Sequence, residues 1–450
     1  MQVKEIVKVV HGELLQGSEE TKITSFSNDT RTLEKGALYI PIIGEVFDGH
    51  TFINNAYEKG AIATFSSNRK DNYPQDLIVI YVEDTLKALQ DLAHYKRINQ
   101  QVKVVGITGS VGKTSTKDMI ASVVSTKYKT LKTIGNYNND IGLPLTILRL
   151  QEEEVMVLEM GMNALNEIAL LSQIARPDIA VITNIGSSHI GNLGSRENIL
   201  KAKLEIIDGI KQDGQLIVNG DNDLLRKYYQ EKPQTSYQVI CYGYQNSNEI
   251  MATNLDIQET RSSFDYKQTR FTVNVAGAHF VSNALASIAV GEALNIALED
   301  IKKGIETFEL TKNRSDILEL NKGITIIDGT YNANADSMKA SLDVLSNYKD
   351  RRKIAVLADM LELGEYTVSL HEEVGKHAFK KDIDMLIAIG ELSKSIIKGA
   401  NGLKHCYWFM NKEEAFRFLM EIIDYNDVIL LKGSNAMKLK EVVSKLKEEI

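Results

Sequence analysis

Residues 102–120 read VKVVGITGSVGKTSTKDMI. The first half is a near-continuous apolar run, as a strand buried on both faces requires, and the second half carries apolar residues at helical spacing. Between them lies a turn holding Gly109 and Gly112. A strand, a glycine-rich turn and a helix in that order build a phosphate cradle: glycines let backbone N–H groups converge, and the helix N-terminus adds partial positive charge. Lys113 is then placed to meet the outer phosphates of ATP or GTP, and the Thr114 hydroxyl a Mg²⁺ ion. The strict G-x-x-x-x-G-K-[ST] spacing is missed, because Ile107 stands five positions before Gly112. The run Thr108-Gly109-Ser110-Val111-Gly112-Lys113-Thr114-Ser115 nevertheless has the context a phosphate loop needs. The alternative is an ordinary tight turn between strand and helix.

Outward from this stretch, EVMVLEM (154–160), IAVITNI (179–185) and GQLIVNG (214–220) read as further buried strands. KTSTKDMIASVVSTKY (113–128) and NILKAKLEIIDGI (198–210) read as helices between them. Such alternation implies a largely parallel sheet covered on both faces, here a central P-loop-type ATPase domain over residues 100–311. GITIID, KIAVLAD, MLIAIG and DVILLKG repeat the pattern in residues 312–450, predicting a smaller, Rossmann-like α/β domain. Residues 1–99 mix short apolar runs (ALYIPIIG, LIVIYV) with turn clusters (SNDTR, VFDGH), which suits a small α/β domain. Three domains agree with the 450-residue length at roughly 150 residues each.

Composition narrows the class. Hydrophobic residues make up 43% and charged residues 25%, so the chain has ample core and is not of the disordered type. A net charge of −8 argues against a nucleic-acid partner, which would call for a basic excess. Cys241 and Cys406 are the two cysteines, too few for a disulfide framework, and point to a reducing compartment. MQVKEIVKVVHGELLQG alternates charged and apolar residues, unlike a signal peptide, and no run approaches the ~20 apolar residues of a membrane span. The expectation is a cytoplasmic, monomeric enzyme with no membrane span.

Glu159 closes an apolar strand and so projects from the carboxyl edge of the sheet, where ligands of α/β sheets bind. His189 follows another strand by a short Gly-Ser loop and reaches the same edge. Both are candidate Mg²⁺ ligands; the alternatives are a helix cap and a loop histidine with a local hydrogen bond. Lys203 and Lys201 share a helical segment, and spacing alone leaves both as solvated surface lysines. His371, in SLHEEVG, reads as a surface histidine and a weaker candidate for an amine site.

Longer signatures add a resemblance. SNDTR and GEVFDGHTF stand in the first block, and GNYNNDIGLPLTIL, LEMGM and ITNIGSSHIGNLGSRENILKAKLEI in the second. YNANADSM, VLADMLELG and LLKGS stand in the third. Together with TGSVGKTSTKDM they make the chain resemble the Mur ligase family, ATP-dependent amide-forming enzymes of bacterial cell-wall synthesis. GNYNNDIGLP and YNAN are far more specific than any phosphate loop. The first-block signatures favour this family over folate polyglutamate synthases, which lack a matching leading domain.

The resemblance implies ATP as phosphoryl donor, with UDP-N-acetylmuramoyl-tripeptide and D-alanyl-D-alanine as substrates. It implies two Mg²⁺ ions, with Glu159 and His189 as ligands. Lys203 matches the position of an N-carbamoylated lysine, whose negative charge would hold the second ion. Lys113, His189 and Lys203 thereby become the expected catalytic set. Asp29, Thr30 and Arg31, with Asp48, Gly49 and His50, match the part that holds the nucleotide sugar. Asn136, Asn138 and Asn139 match the central substrate channel. Asn283 and Arg314 match positions near adenine and ribose, and Asn332, Ala333 and Asn334 match those facing the dipeptide. Five positions depart from the family pattern: Phe280, Asn313, Gly329, Ala335 and Asn435. They keep open two alternatives, another amino-acid ligase of the same fold and a non-catalytic paralogue.

Overall fold

The computed structural model describes residues 1–450 apart from 70–71, 232–234, 246, 312–313 and 315, so Asn313 lies outside the described residues. At its centre is a seven-stranded sheet paired in parallel throughout. Lys103–Thr108 lies between Val155–Glu159 and Ile179–Ile182, with Gly106 opposite Leu158 on one side and Ala180 on the other. Gln215–Asn219, Gln238–Gly243 and Ile250–Met251 extend one side, and Thr130–Lys132 ends the other. The chain crosses from Val155–Glu159 over Lys103–Thr108 to Ile179–Ile182. That crossing is a topological switch point, and it opens a crevice at the carboxyl ends of these strands.

The strands read as apolar because both faces are covered. Val105 and Ile107 pack with Met119, Val123 and Ala284, on the helices Lys113–Val124 and Ala278–Ala293. Val104, pointing the other way, belongs to the cluster of Leu171 and Ile199, on the helices Glu167–Ala175 and Arg196–Leu204. Each such fully buried Val, Leu or Ile contributes about 1.5–3 kcal/mol. The segment 198–210, expected as one helix, turns from α-helix into a 3₁₀ segment at Glu205–Gly209.

One element escaped the sequence reading. Thr253–Ile257, Ser262–Tyr266 and Thr269–Val273 form an antiparallel sheet beside the central one. Its second turn places Lys267 and Gln268 at φ 45° and 63°, the geometry of a tight hairpin, without the Asn-Gly pair that usually signals it.

The first block holds five strands in the order Glu13–Gln16, Ile78–Tyr81, Ala63–Ser66, Ala37–Tyr39, Ser25–Ser27, antiparallel only at the first pair. Helix Thr85–Ile98, capped by the Asp84 carboxylate, leads out of it. Lys96 and Arg97 donate to Leu148 O and Ala175 O, both at 2.7 Å, and so seat that helix on the central block. The last block has six strands, with Thr325–Asp328, Val428–Lys432, Lys353–Ala358, Met385–Ile389 and Cys406–Phe409 paired in parallel. An antiparallel edge strand, Asp316–Glu319, was not anticipated. Among the described residues no helix is long and apolar enough to cross a membrane.

Candidate active site

The phosphate loop bends as its glycines allow. Gly109 sits at φ 149° and Gly112 at φ 80°, and a Cβ on Gly109 would lie 2.0 Å from Thr183 Oγ1. Neighbouring strand ends hold the loop: Val111 N–H donates to Asn184 Oδ1 at 2.9 Å and Gly186 N–H to Ser110 Oγ at 2.9 Å. Lys113 folds back, donating to Gly109 O at 2.7 Å. Burial lowers its pKa, against the attraction of Glu159 and together with repulsion from Arg314.

Glu159 is 2% exposed and fully engaged. Thr114 Oγ1 donates to its Oε2 and Asn138 Nδ2 to its Oε1, each at 2.8 Å. A hydroxyl and a carboxylate in contact beside a phosphate loop suit Mg²⁺, which prefers oxygen ligands and takes several from substrate phosphates. Among the described residues no three His, Cys, Asp or Glu side chains converge as a ready-made metal cage.

His189 is held at φ 62°, and its pKa falls to about 4 through burial and then through Lys113 and Lys203. Its buried Nδ1 lies 3.2 Å from Glu362 Oε2, yet outside hydrogen-bond geometry, and has no partner among the described residues. Lys203 is 1% exposed, and its Nζ also lacks a hydrogen-bond partner among the described residues. Burial takes its pKa well below the usual lysine range, with Lys113 adding repulsion. The two lysines that spacing could not separate are therefore unlike: Lys201 is exposed.

A cavity of about 340 Å³ gathers much of the expected set. Ser110–Ser115, Asn138, Glu159, His189, Asn283, Arg314 and Asn332–Asn334 line it. Thr108 and Gly109 underlie the loop, and Lys203 does not line the cavity. Asn283 Oδ1 accepts from Thr116 at 3.0 Å while its Nδ2 has no hydrogen-bond partner among the described residues, and the Arg314 guanidinium stacks 4.0 Å from the Tyr331 ring centroid. Asn334 caps helix Ala335–Leu345 in a capping box and donates to Ser188 Oγ, which donates to Ser110 O at 3.0 Å. That chain ties the last block to the phosphate loop, as does Ser187 N–H donating to Asp336 Oδ2 at 3.1 Å.

The remaining expected residues stand outside the cavity. Exposed Arg31 pairs at 2.7 Å with half-buried Asp29, on the turn that also carries half-buried Thr30. Asp48 meets His50 Nδ1 at 2.6 Å, and His50 Nε2 accepts from Ser67 N–H at 3.1 Å, which leaves the proton on Nδ1. Gly49 O accepts from the Tyr39 hydroxyl, whose pKa burial, Asp29 and Asp48 push up to about 12. Asn136 O accepts from Asn138 N–H at 2.7 Å, and Asn139 Oδ1 accepts from Gly142 N–H at 2.9 Å. His371 is a correction: it is fully buried, with Nε2 accepting from Met360 N–H at 3.0 Å and Nδ1 2.6 Å from Thr367 O.

The sequence reading passed over Lys432 and Glu362. Lys432 lines the cavity and donates to Asn332 O at 2.9 Å; burial and then Arg314 lower its pKa to about 8. Its place at the end of strand Val428–Lys432 was the available signal, by the same edge rule that found Glu159. Glu362 lies in a loop with no such marker. At the departing positions, Asn435 Nδ2 donates to Tyr331 O at 3.1 Å and Phe280 is buried against the His279 ring. A Cβ on Gly329 would approach Lys432 Nζ at 3.5 Å.

Comparison with known proteins covers the whole chain. Profiles described as Mur ligase family catalytic domain, Mur ligase middle domain and Mur ligase glutamate ligase domain match residues 22–97, 107–291 and 313–435. UDP-N-acetylmuramoyl-tripeptide–D-alanyl-D-alanine ligase of Bacillus subtilis is 42% identical over 99% of this chain and 98% of its own. The crystal structure of MurF from Acinetobacter baumannii superposes with a TM-score of 0.91 at 30% identity, covering 100% of this chain and 99% of that one. MurF from Thermotoga maritima in complex with ADP gives 0.83 at 28% identity, over 94% and 97%. With every block matched and the phosphate loop facing the last block across one cavity, the chain belongs to the Mur ligase family.

Proposed function

We propose that this protein is an ATP-dependent ligase that joins D-alanyl-D-alanine to the terminal carboxylate of a UDP-N-acetylmuramoyl-tripeptide, releasing ADP and phosphate. The full-length similarity to relatives bearing that name supports the substrates. The observation that carries the chemistry is the meeting, in one cavity, of the phosphate loop, the Thr114–Glu159 pair and the Asn332–Asn334 segment.

A carboxylate is a poor electrophile, so it must be activated. Its oxygen attacks the γ-phosphorus, the bond to ADP breaks, and an acyl phosphate forms. The dipeptide amine then attacks the acyl carbon, phosphate leaves, and the amine gives up a proton. Most of what the protein does is hold charge and position. Backbone N–H groups of residues 109–115 cradle the phosphates, and Lys113 exchanges its carbonyl contacts for the β,γ-oxygens. Arg314 and Lys432 add positive charge on the facing wall. Thr114, Glu159 and His189 are the residues that would hold a Mg²⁺ ion, whose charge would neutralise the phosphate oxygens. Lys203 is 1% exposed, and burial lowers its pKa well below the usual lysine range; its amine is suited to add CO₂ and lose a proton, becoming a carbamate that would hold a second ion.

On this reading residues 1–99 hold the UDP-sugar, with Asp29, Thr30, Arg31, Asp48, Gly49 and His50 as its contacts. Residues 100–311 carry the ATP chemistry, Asn136, Asn138 and Asn139 the channel between them. Residues 312–450 present Asn332, Ala333 and Asn334 to the dipeptide and close on the nucleotide, excluding water from the acyl phosphate. All substrates are water-soluble, which suits a cytoplasmic enzyme. A phosphate-release assay over UDP-muramoyl peptides and amine acceptors tests the reading. Release of ADP and phosphate should require the tripeptide and D-alanyl-D-alanine together; robust turnover with a single amino acid would overturn it.

A further inference from the structure

A second cavity, of about 310 Å³, adjoins the first and shares Ser188, His189 and Asn332–Asn334 with it. Its other walls come from Leu361–Leu363 and Ser434–Ala436 of the last block. Glu362 is the only carboxylate among its lining residues. Its Oε2 lies 3.2 Å from Nδ1 of His189, which lines both cavities; that places it next to where the reacting amine sits if the γ-phosphate lies at Lys113 and the acceptor enters from the last block.

The local structure commits the chain to this placement. Glu362 adopts φ 63°, unusual for a residue with a side chain, and its carbonyl accepts from Gly191 N–H at 3.3 Å. Gly191 and Gly364 make the contact possible, since a Cβ on Gly191 would lie 2.7 Å from both Glu362 O and Gly364 N. Tyr366 OH donates to Gly194 O at 2.6 Å on the same seam. With its main chain pinned, the Glu362 carboxylate is 65% exposed and makes no hydrogen bond among the described residues. It faces the buried, unpartnered Nδ1 of His189 at 3.2 Å. A polar ring nitrogen and a carboxylate oxygen set this close without a hydrogen bond leave acceptor capacity for a cationic N–H donor.

We propose that Glu362 is the specificity residue that receives the α-ammonium group of the incoming dipeptide. Its carboxylate holds that nitrogen at the junction of the two cavities, beside the acyl carbon, and gives the enzyme its preference for an amine over an uncharged acceptor. Leu361, Leu363 and Ala436 provide apolar wall for the small side chains of the dipeptide. This inference rests on the ligase reading above and names a contact within it.

The test compares wild type with Glu362→Gln and Glu362→Asp, using D-alanyl-D-alanine as substrate and D-lactyl-D-alanine, its hydroxyl analogue, as competitive inhibitor. Wild-type phosphate release with the dipeptide establishes the ligase reading independently; its absence would overturn that reading and this one with it. Given wild-type turnover, Glu362→Gln should raise KM for the dipeptide about 10- to 100-fold, the worth of a charge-assisted hydrogen bond. KM for ATP and Ki for the hydroxyl analogue should stay within about twofold, and Glu362→Asp should recover part of the loss. An unchanged dipeptide KM in Glu362→Gln would overturn the proposal. An equal weakening of dipeptide and analogue would also overturn it, because Glu362 would then only support the seam.

Discussion

The two walls of the main cavity are built differently. On the phosphate-loop wall, Thr114 and Asn138 both bond Glu159 and Asn184 bonds Val111, all at the carboxyl edge of one parallel sheet. On the facing wall, Arg314 stacks on Tyr331 with its Nε lacking a hydrogen-bond partner among the described residues, and Asn334 and Asp336 reach across to Ser188 and Ser187. The first wall is assembled by the fold of one domain. The second is brought into place by polar contacts between domains, each worth about 1 kcal/mol. Phosphate chemistry is thus pre-organised, and the acceptor half depends on docking.

The largest expected effect lies on the rigid wall. Lys113→Ala should lower phosphate release by about 10²–10³-fold and weaken nucleotide binding, with the thermal midpoint little changed, since the side chain is only half-buried. Near-normal ADP affinity by calorimetry would break the contrast between the walls.

Lys203 tests what lies behind that wall. Lys203→Ala should lose about 10- to 100-fold in turnover, as for groups that tune a metal site, whereas exposed Lys201→Ala should change it by less than about twofold. Bicarbonate should restore activity to CO₂-depleted wild type and not to Lys203→Ala. Equal losses in the two alanine variants would assign the wrong lysine.

The smallest effect belongs to the docked wall. Asn334→Ala removes both the cap of helix Ala335–Leu345 and the link to Ser188. It should cost about 1 kcal/mol in unfolding free energy and raise KM for the dipeptide several-fold, with ATP affinity intact. A matching fall in ATP affinity would show that the two walls are coupled rather than separable.

How much was legible depended on how local the signal was. The strand, turn and helix of 102–120 announced themselves, because buried parallel strands are apolar throughout and phosphate loops need glycine at fixed places. Glu159 was legible from its place at a strand end. The antiparallel strands at 253–273 were missed because their hairpin at Lys267-Gln268 lacks a turn signature. His371 read as a surface residue, yet it is buried, since helix periodicity does not say which neighbour will cover a face.

The sequence by itself determined the α/β alternation, the phosphate loop and, through its long signatures, the family. All of these are written in contiguous residues, where apolar period and turn chemistry act locally. Only the tertiary structure separated Lys203 from Lys201, brought Lys432 against Asn332 and set Glu362 beside His189. Burial and electrostatic environment arise from segments far apart in the chain. A lysine's pKa or a carboxylate's free oxygen is a property of what surrounds it, and no stretch of residues carries that alone.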